Sequence, residues 1–440
     1  MEDLIFFIVD ELYGKDPGTV ARKLYLKNKS AFKNLLTATG LSEQQLRNAL
    51  VILIQQQLVT YDEKPKILYT LSVQDILKRI RYPRYIRLIQ MKYGDNSCIE
   101  ELLENGCASI NTLLAACKDT HKNPDNVTQT LREMIINGYL VPTEQKAEVC
   151  QSVVQINNMP KAGRPKKKQK IEFSEGTKAA DALPKQNMDT VTDTFYKLNS
   201  AKLDKEMGSE IISKYVSSKC NLNCVIVAET LFRLGYRSVT KAELSSHLPA
   251  IPKISATTLD QGLEILEKAG IVIKDTEISW KLNLPTIYNN LAATVLEKII
   301  QGKFGDYSGR VFRILYNKGL LDDKNISDLT LLPLKETNTC VNELFASGFV
   351  YSKVVGVNQM HFGVRIDDVK EDILRQSYRS VLNLKIKLAS EMEEVWGLVQ
   401  RAGHLTNDER NALERYKLIE SRIESAILEL DRTIMILSLQ

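Results

Sequence analysis

The sequence predicts a mainly α fold, in which tandem winged-helix domains with small β wings precede a C-terminal antiparallel coiled-coil hairpin. Three observations predict it. One helix-ending pattern recurs four times, short apolar strands separated by polar turns follow two of the copies, and residues 366–440 carry two proline-free heptad series. Each reflects how apolar side chains are spaced when they share one buried face.

The repeated pattern is two apolar residues three positions apart, a glycine slot four positions later, and a non-polar pair directly after it. This spacing gives a helix one buried face, and glycine in the slot ends the helix in a left-handed conformation at little cost. The copies are Leu50, Leu53, Gln57, Leu58 and Val59; Leu131, Met134, Gly138, Tyr139 and Leu140; Leu263, Leu266, Gly270, Ile271 and Val272; and Val341, Leu344, Gly348, Phe349 and Val350.

Strand pairs follow the first and third copies. Residues 58–61 and 67–71 flank a polar turn after the first copy, and residues 271–274 and 278–282 do so after the third. Short apolar runs around a polar turn predict a β-hairpin. Because a further helix and turn precede each repeated helix, every copy is predicted to be a winged-helix module.

The C-terminal region predicts two long helices. Its apolar residues alternate between spacings of three and four, with one or two polar interruptions, as in a coiled-coil seam. Two ordinary amphipathic helices packed on a domain are the alternative, but matched seams on either side of one short turn favour a hairpin. The seams are Leu374, Ser377, Val381, Leu384, Leu388, Glu391, Val395 and Leu398, and Leu413, Tyr416, Glu420, Ile423, Ile427, Leu430, Ile434 and Leu437.

Composition changes between the second and third copies, where the chain becomes polar and basic. Such a segment cannot bury enough apolar surface to fold, so it is predicted to be a disordered linker. We therefore predict winged helices at residues 1–75, 76–154, 191–285 and 286–365, the linker at 155–190, and the helical hairpin at 366–440.

Bulk properties exclude several classes of protein. The 440 residues allow about three domains or more, and the net charge of +5 permits nucleic-acid contact without requiring it. Apolar runs are too short for a secretory signal or a membrane span, so we expect neither secretion nor a membrane partner.

Residues for catalysis or metal binding form no recognisable set. The four histidines lie in no nucleophile, metal or phosphate motif. Cys220 and Cys224 share a helical spacing, but nothing nearby completes a zinc site, and we expect reduced structural or surface thiols. We predict no catalytic residue, no metal, no cofactor and no enzymatic activity.

The helix before each wing, which reads DNA in many winged helices, carries few cations in all four copies. The first contains Glu43, Gln44, Gln45 and one Arg47. Because lysine and arginine contacts to phosphate supply most of the affinity for DNA, these helices are too neutral to bind it unaided. We expect several modules to bind protein.

Residues 78–92 form a basic stretch with six positive charges and no negative charge. Tyrosines alternate with the arginines, which favours contact with a nucleic-acid backbone or stacking on bases. A solvated helix face, or a surface that docks an acidic partner, explains the pattern equally well. The candidate residues are Lys78, Arg79, Arg81, Arg84, Arg87 and Lys92.

A second basic cluster lies in the linker. Gly163-Arg164-Pro165 is similar to an AT-hook core, which binds a narrow minor groove. The same run is also typical of a nuclear-import signal or of a solvated tail. We favour import, and therefore expect nuclear localisation; the residues are Arg164, Lys166, Lys167 and Lys168.

Taken in order, these features resemble the large winged-helix subunit of eukaryotic RNA polymerase III, of the subunit-three or eighty-two-kilodalton type. The local match begins at Lys303, and the domain layout extends it over nearly the whole chain. It includes Phe304-Gly305, Arg310-Val311-Phe312-Arg313-Ile314-Leu315, Leu331-Leu332-Pro333-Leu334-Lys335-Glu336, and Leu430-Asp431-Arg432-Thr433-Ile434-Met435-Ile436-Leu437.

The resemblance implies a non-catalytic, polymerase-specific subunit that acts in initiation, through recruitment and promoter opening. Its implied partners are other RNA polymerase III subunits, especially the two that form a heterotrimer with it, together with initiation factors and promoter DNA. The alternatives are a winged-helix scaffold of another large nuclear complex and a general transcription factor of the IIE-alpha type. The latter is expected to carry a zinc ribbon, which these cysteines do not provide.

Overall fold

The computed structural model describes residues 1–62, 67–94, 98–118, 124–143, 194–235, 237–248, 255–276, 278–356, 359–401 and 406–439. The chain forms two compact units, Glu2–Leu203 and Asp204–Gln440. Both are mainly helical with small antiparallel sheets, which confirms the predicted fold class. None of the described helices is both long enough and apolar enough to cross a membrane.

The first unit begins with a complete winged helix. Ser42 forms a capping box with Gln45 that starts the last helix of this module. The three strands pair antiparallel in the order β1-β3-β2. The elements are α1 (Glu2–Tyr13), α2 (Lys15–Lys27), β1 (Lys29–Ser30), α3 (Phe32–Thr39), α4 (Glu43–Gln55), β2 (Val59–Asp62), β3 (Leu68–Leu71) and the short α5 (Val73–Leu77).

The second winged helix closes with a strand from much later in the chain. This strand, β6, pairs with both β4 and β5, with Tyr196 opposite Ala108 and Leu198 opposite Leu140. The prediction that the third module starts at residue 191 is therefore wrong: residues 155–190 fall between the two strands of the second wing. The elements are α6 (Tyr82–Tyr93), α7 (Ile99–Asn105), β4 (Ala108–Ser109), α8 (Ile110–Lys118), α9 (Pro124–Ile136), β5 (Leu140–Pro142) and β6 (Phe195–Leu198).

Two further winged helices follow. In the third, the strands pair in the order β7-β9-β8; in the fourth, β10 pairs with β11. The third contains α10 (Ser200–Lys219), α11 (Leu222–Leu234), β7 (Val239–Thr240), α12 (Lys241–His247), α13 (Ala256–Lys268), β8 (Val272–Thr276) and β9 (Ser279–Leu282). The fourth contains α14 (Leu284–Phe304), α15 (Asp306–Lys318), α16 (Asp323–Thr330), α17 (Leu334–Ala346), β10 (Tyr351–Val355) and β11 (Gln359–Gly363).

The repeated helix end has one geometry in all four modules. The slot residues Gln57, Gly138, Gly270 and Gly348 all have positive φ, between 60° and 77°. The N–H of the next residue donates to the carbonyl five positions earlier, as in Leu58 to Leu53 at 2.9 Å and Phe349 to Leu344 at 2.9 Å. This is the Schellman motif at a helix C-terminus. The repeated spacing in the sequence therefore reflects the residues that this hydrogen-bond pattern requires.

Two long helices, α18 (Ile366–Val399) and α19 (Asn407–Leu437), pack along each other and form the predicted hairpin. A capping box between Thr406 and Glu409 starts the second helix. The base of the hairpin belongs to the core of the fourth winged helix, since Val369, Ile373 and Leu437 pack among the buried side chains of that module.

Candidate nucleic-acid interface

The basic stretch lies where the first winged helix ends and the second begins. Residues Lys78–Arg81 form a short 3-10 helix that continues directly into α6. Pro83 is tolerated in the first turn of α6, because a backbone N–H at that position would have no hydrogen-bond acceptor within the helix. Tyr85 and Ile89, four positions apart, are fully buried and fix which face of α6 turns inward.

Arg79 points into the protein and holds the first two winged helices together. Its guanidinium donates to the carbonyl of Gln56, at the end of α4, at 2.6 Å. The same guanidinium stacks on Tyr82, 4.6 Å from the ring centroid, and on Tyr13 of α1 at 5.8 Å. These are structural contacts, so the assignment of Arg79 to a nucleic-acid surface is not supported by its position.

Gln56 also contacts the second winged helix directly. Its side-chain amide donates to the carbonyl of Glu104 at 2.6 Å and accepts from the Tyr13 hydroxyl at 3.2 Å. Gly106 packs directly on the same backbone: a Cβ added there would lie 2.6 Å from the Gln55 carbonyl oxygen. We call the set Tyr13, Gln56, Arg79, Tyr82 and Gly106 the inter-module junction.

Tyr82 is the most perturbed ionisable group of the junction. Burial raises the pKa of Tyr82 to about 12, and the nearby Arg79 guanidinium opposes the rise. Burial likewise raises the pKa of Tyr13, again against Arg79. At both phenols, which are half-buried, the desolvation that raises the pKa outweighs the favourable charge of Arg79 that lowers it.

Lys78 is also engaged within the protein. Its ammonium lies 3.5 Å from the Asp75 carboxylate and 3.1 Å from the Ser200 hydroxyl. An acid from just outside the stretch, Asp75, therefore partly neutralises this end of it. Four of the six predicted cations, Arg81, Arg84, Arg87 and Lys92, remain as candidates for an external anion.

These four cations lie along α6 and the turn before it. Arg81 and Arg84 are half-buried and interact with neighbouring groups of the protein. Arg87 is exposed, one helical turn after Arg84, and among the described residues no acid pairs with it. Arg87 is therefore the cation of this stretch that is most available to a phosphate.

Lys92, at the end of α6, belongs to a second group of cations that the sequence did not indicate. Its ammonium donates to the Tyr139 hydroxyl at 2.6 Å and lies 5.0 Å from the centroid of that ring. Lys202 of α10 lies over the same ring, 4.2 Å from the centroid, and donates to the carbonyl of Asn137. One tyrosine thus holds two ammonium groups close together, which concentrates positive charge beside the wing.

The sequence did not indicate Lys202 as a candidate, because its position beside α9 depends on how β6 pairs. Only the pairing of β6 with β5 places Asn199 and Lys202 beside the end of α9, where Asn199 donates to the Gly138 carbonyl at 2.9 Å. The linker residues Arg164, Lys166, Lys167 and Lys168 lie outside the described residues.

The helices that precede the wings have neutral or acidic outer faces. On α4 the exposed side chains include Glu43, Gln44 and Asn48, and its Arg47 is buried and paired with Glu43. On α13, Asp260 pairs with Lys241 and Glu264 with Lys268. Few free cations face outward from these helices, which favours proteins over DNA as their partners.

No group of three or more potential metal ligands occurs within the described ranges. Cys107, Cys220, Cys224 and Cys340 are free thiols. Cys98 is disulfide-bonded, contrary to the expectation of reduced cysteines throughout.

Comparison with known proteins finds a domain match at each end of the chain. Residues 3–64, the first winged helix, match the RNA polymerase III subunit RPC82 helix-turn-helix domain. Residues 296–360, most of the fourth, match the POLR3C C-terminal winged-helix domain. The chain is 22% identical to the DNA-directed RNA polymerase III subunit RPC3 of Bos taurus and 20% identical to that of Homo sapiens, in each case across 99% of this chain and 97% of the relative. The chain is thus similar to RPC3 subunits of RNA polymerase III over nearly its whole length.

Relatives in fungi match over shorter spans. The RPC3 protein of Aspergillus niger is 24% identical over 36% of this chain and 28% of its own length. The two domain matches cover residues 3–64 and 296–360, so Arg79, Tyr82, Gly106, α6 and Lys202 lie outside both of them.

Proposed function

We propose that this chain is a non-catalytic, polymerase-specific subunit of DNA-directed RNA polymerase III that acts in transcription initiation in the nucleus. The observation that carries the proposal is the near end-to-end alignment with RPC3 subunits, which covers 97% of the bovine relative. An alignment over whole lengths supports a shared place in an assembly better than a match to one winged helix, because winged helices serve many functions.

In this proposal most of the chain binds protein. The neutral outer faces of α4 and α13 contact other polymerase subunits, including the two that form a heterotrimer with this chain, and initiation factors. Their charged side chains are already paired within the protein, so binding a protein there requires little rearrangement.

Promoter DNA is proposed to contact the surface of α6 and the adjacent wing. Arg84, Arg87, Lys92 and Lys202 supply the cations, and the two lysines beside Tyr139 add a local concentration of charge. Contacts of this kind bind the phosphate backbone without selecting a sequence, and they stabilise DNA held near the polymerase during opening. The isolated chain is expected to bind duplex DNA weakly and without sequence preference.

A depletion experiment tests the proposed role in initiation. RNA polymerase III purified without this chain should lose transcription from its promoters, yet still extend RNA on a tailed template that needs no promoter opening. Adding the purified chain should restore promoter-dependent transcription. Loss of synthesis on both templates would contradict a non-catalytic initiation role, because a catalytic contribution is needed on every template.

Charge reversal tests the DNA contact. The triple variant Arg81→Glu, Arg84→Glu and Arg87→Glu should assemble into the polymerase, lose promoter opening, and bind DNA with a weaker dependence on salt. Failure to assemble before DNA is added would indicate an acidic protein partner instead. Normal assembly and normal transcription would show that α6 presents a solvated face.

A further inference from the structure

The fourth winged helix exposes an apolar knob at the start of its recognition helix. Leu331, in the turn between α16 and α17, is 87% exposed, and Leu329 and Leu334 on either side of it are 47% and 44% exposed. We call Leu329, Leu331 and Leu334 the leucine knob. Neighbouring exposed leucines at one tight turn are unfavourable in water unless another surface covers them.

The backbone of the knob is strained and rigidly held. Leu331 has φ 56° and ψ 37°, a left-handed conformation that is rare for a leucine. Arg310 donates to the Thr330 carbonyl at 3.2 Å, and the Ser327 hydroxyl donates to the Leu332 carbonyl at 2.7 Å. The next residue, Leu332, is buried in the module core and anchors the turn. The fold thus maintains a strained turn whose visible result is an outward-pointing leucine.

Carboxylates outnumber lysines in the sequence around the knob. From Asp322 to Glu343 it contains five carboxylates and two lysines, and Asp328, Lys335 and Glu336, next to the leucines, are exposed. This charge repels nucleic acid from the part of a winged helix that commonly approaches it.

We propose that the leucine knob docks into an apolar pocket rimmed by lysine or arginine on another protein subunit. The apolar side chains match such a pocket, and the exposed carboxylates of Asp328 and Glu336 match its rim. A rigid knob loses little conformational entropy on binding, which favours a strong contact from a small area. This inference rests on the proposed function, and it places one polymerase-facing surface on the fourth winged helix.

The test uses Leu331→Asn in the full chain, because asparagine tolerates the left-handed conformation better than leucine does. The variant removes the apolar side chain while relieving the turn, so its Tm should equal or exceed that of the wild type. Leu418→Asn is the matched control, since Leu418 is a 53% exposed leucine on α19. The probe is purified RNA polymerase III depleted of its own copy of this chain.

Binding of the wild type and of Leu418→Asn should be equal, and Leu331→Asn should bind at least about tenfold more weakly. If the wild type itself fails to bind the depleted polymerase, the proposed function fails. If the wild type and Leu331→Asn bind equally, only the knob proposal fails. A lower Tm for Leu331→Asn would assign the leucine a structural role and overturn the proposal.

A photo-crosslinking residue at position 331 identifies what covers the knob. In the assembled polymerase it should crosslink to a protein segment that combines apolar residues with lysine or arginine. Crosslinking to DNA, or to a second copy of this chain, would overturn the proposal.

Discussion

Replacing Arg79 by alanine separates the structural part of the basic stretch from the part available to DNA. The hydrogen bond from the charged guanidinium to the Gln56 carbonyl contributes about 1.5–3 kcal/mol. Stacking on Tyr82 contributes about 0.5–2 kcal/mol more. Against these, the Arg79 Nε is buried without a hydrogen-bond partner, and deleting it recovers about 1–3 kcal/mol. With mid-range values for each contribution, the net expected loss of stability is about 1.5 kcal/mol.

Hydrogen exchange measures this loss where it arises. In Arg79→Ala, amides around Gln56 and Glu104 should exchange faster, because the junction opens at lower free energy. Arg87→Ala is the matched control from the same stretch: its stability should stay within about 0.5 kcal/mol of the wild type, while its DNA binding becomes less dependent on salt. Unchanged exchange together with weakened DNA binding in Arg79→Ala would refute the structural role of Arg79.

Three further predictions address the rest of the first unit and the linker. Gly106→Ala should destabilise the junction by more than about 2 kcal/mol in chemical denaturation, because the added Cβ would lie 2.6 Å from the Gln55 carbonyl oxygen. Gly235→Ala is the control: Gly235 also has a positive φ but open space around it, so this variant should lose only about 1 kcal/mol of stability. Because burial raises the pKa of Tyr82 to about 12, the stability that this residue contributes is complete below its ordinary pKa near 10 and is lost as the pH rises towards 12. Tyr82→Phe should therefore make the free energy of unfolding less dependent on pH in the alkaline range. An unchanged pH dependence would contradict the burial argument. Replacing the linker cations by alanine should lower nuclear accumulation in fluorescence images and leave Tm unchanged, and a large drop in Tm would exclude the import hypothesis; these cations are Arg164, Lys166, Lys167 and Lys168.

The sequence revealed the repeated modules because each helix end is a local device. A Schellman end needs only a positive φ at one slot and apolar residues at fixed distances, so it leaves a short pattern. Even Gln57 takes that conformation, with φ 60°, because the surrounding pattern is complete. The hairpin was equally accessible, since heptad spacing is also a local property.

Pairing across long separations was not accessible in the same way. β6 has the composition of an ordinary short strand, and nothing in residues 195–198 indicates that it pairs with the earlier strand β5 and not with a strand of the third winged helix. Because this pairing was missed, the approach of Lys202 to Tyr139 went unnoticed. The structural contacts of Arg79 were missed for a similar reason: its charge is visible in the sequence, but its acceptor, the Gln56 carbonyl, lies at the end of another helix.

Affinity purification of the tagged chain from its own cells, followed by mass spectrometry, tests the central claim most directly. If the chain is a subunit of RNA polymerase III, the large subunits and the polymerase-specific subunits of that enzyme should co-purify with it in equal molar amounts and remain bound in moderate salt. Recovery of the chain in stoichiometric complex with a different nuclear assembly, with RNA polymerase III absent, would contradict the account.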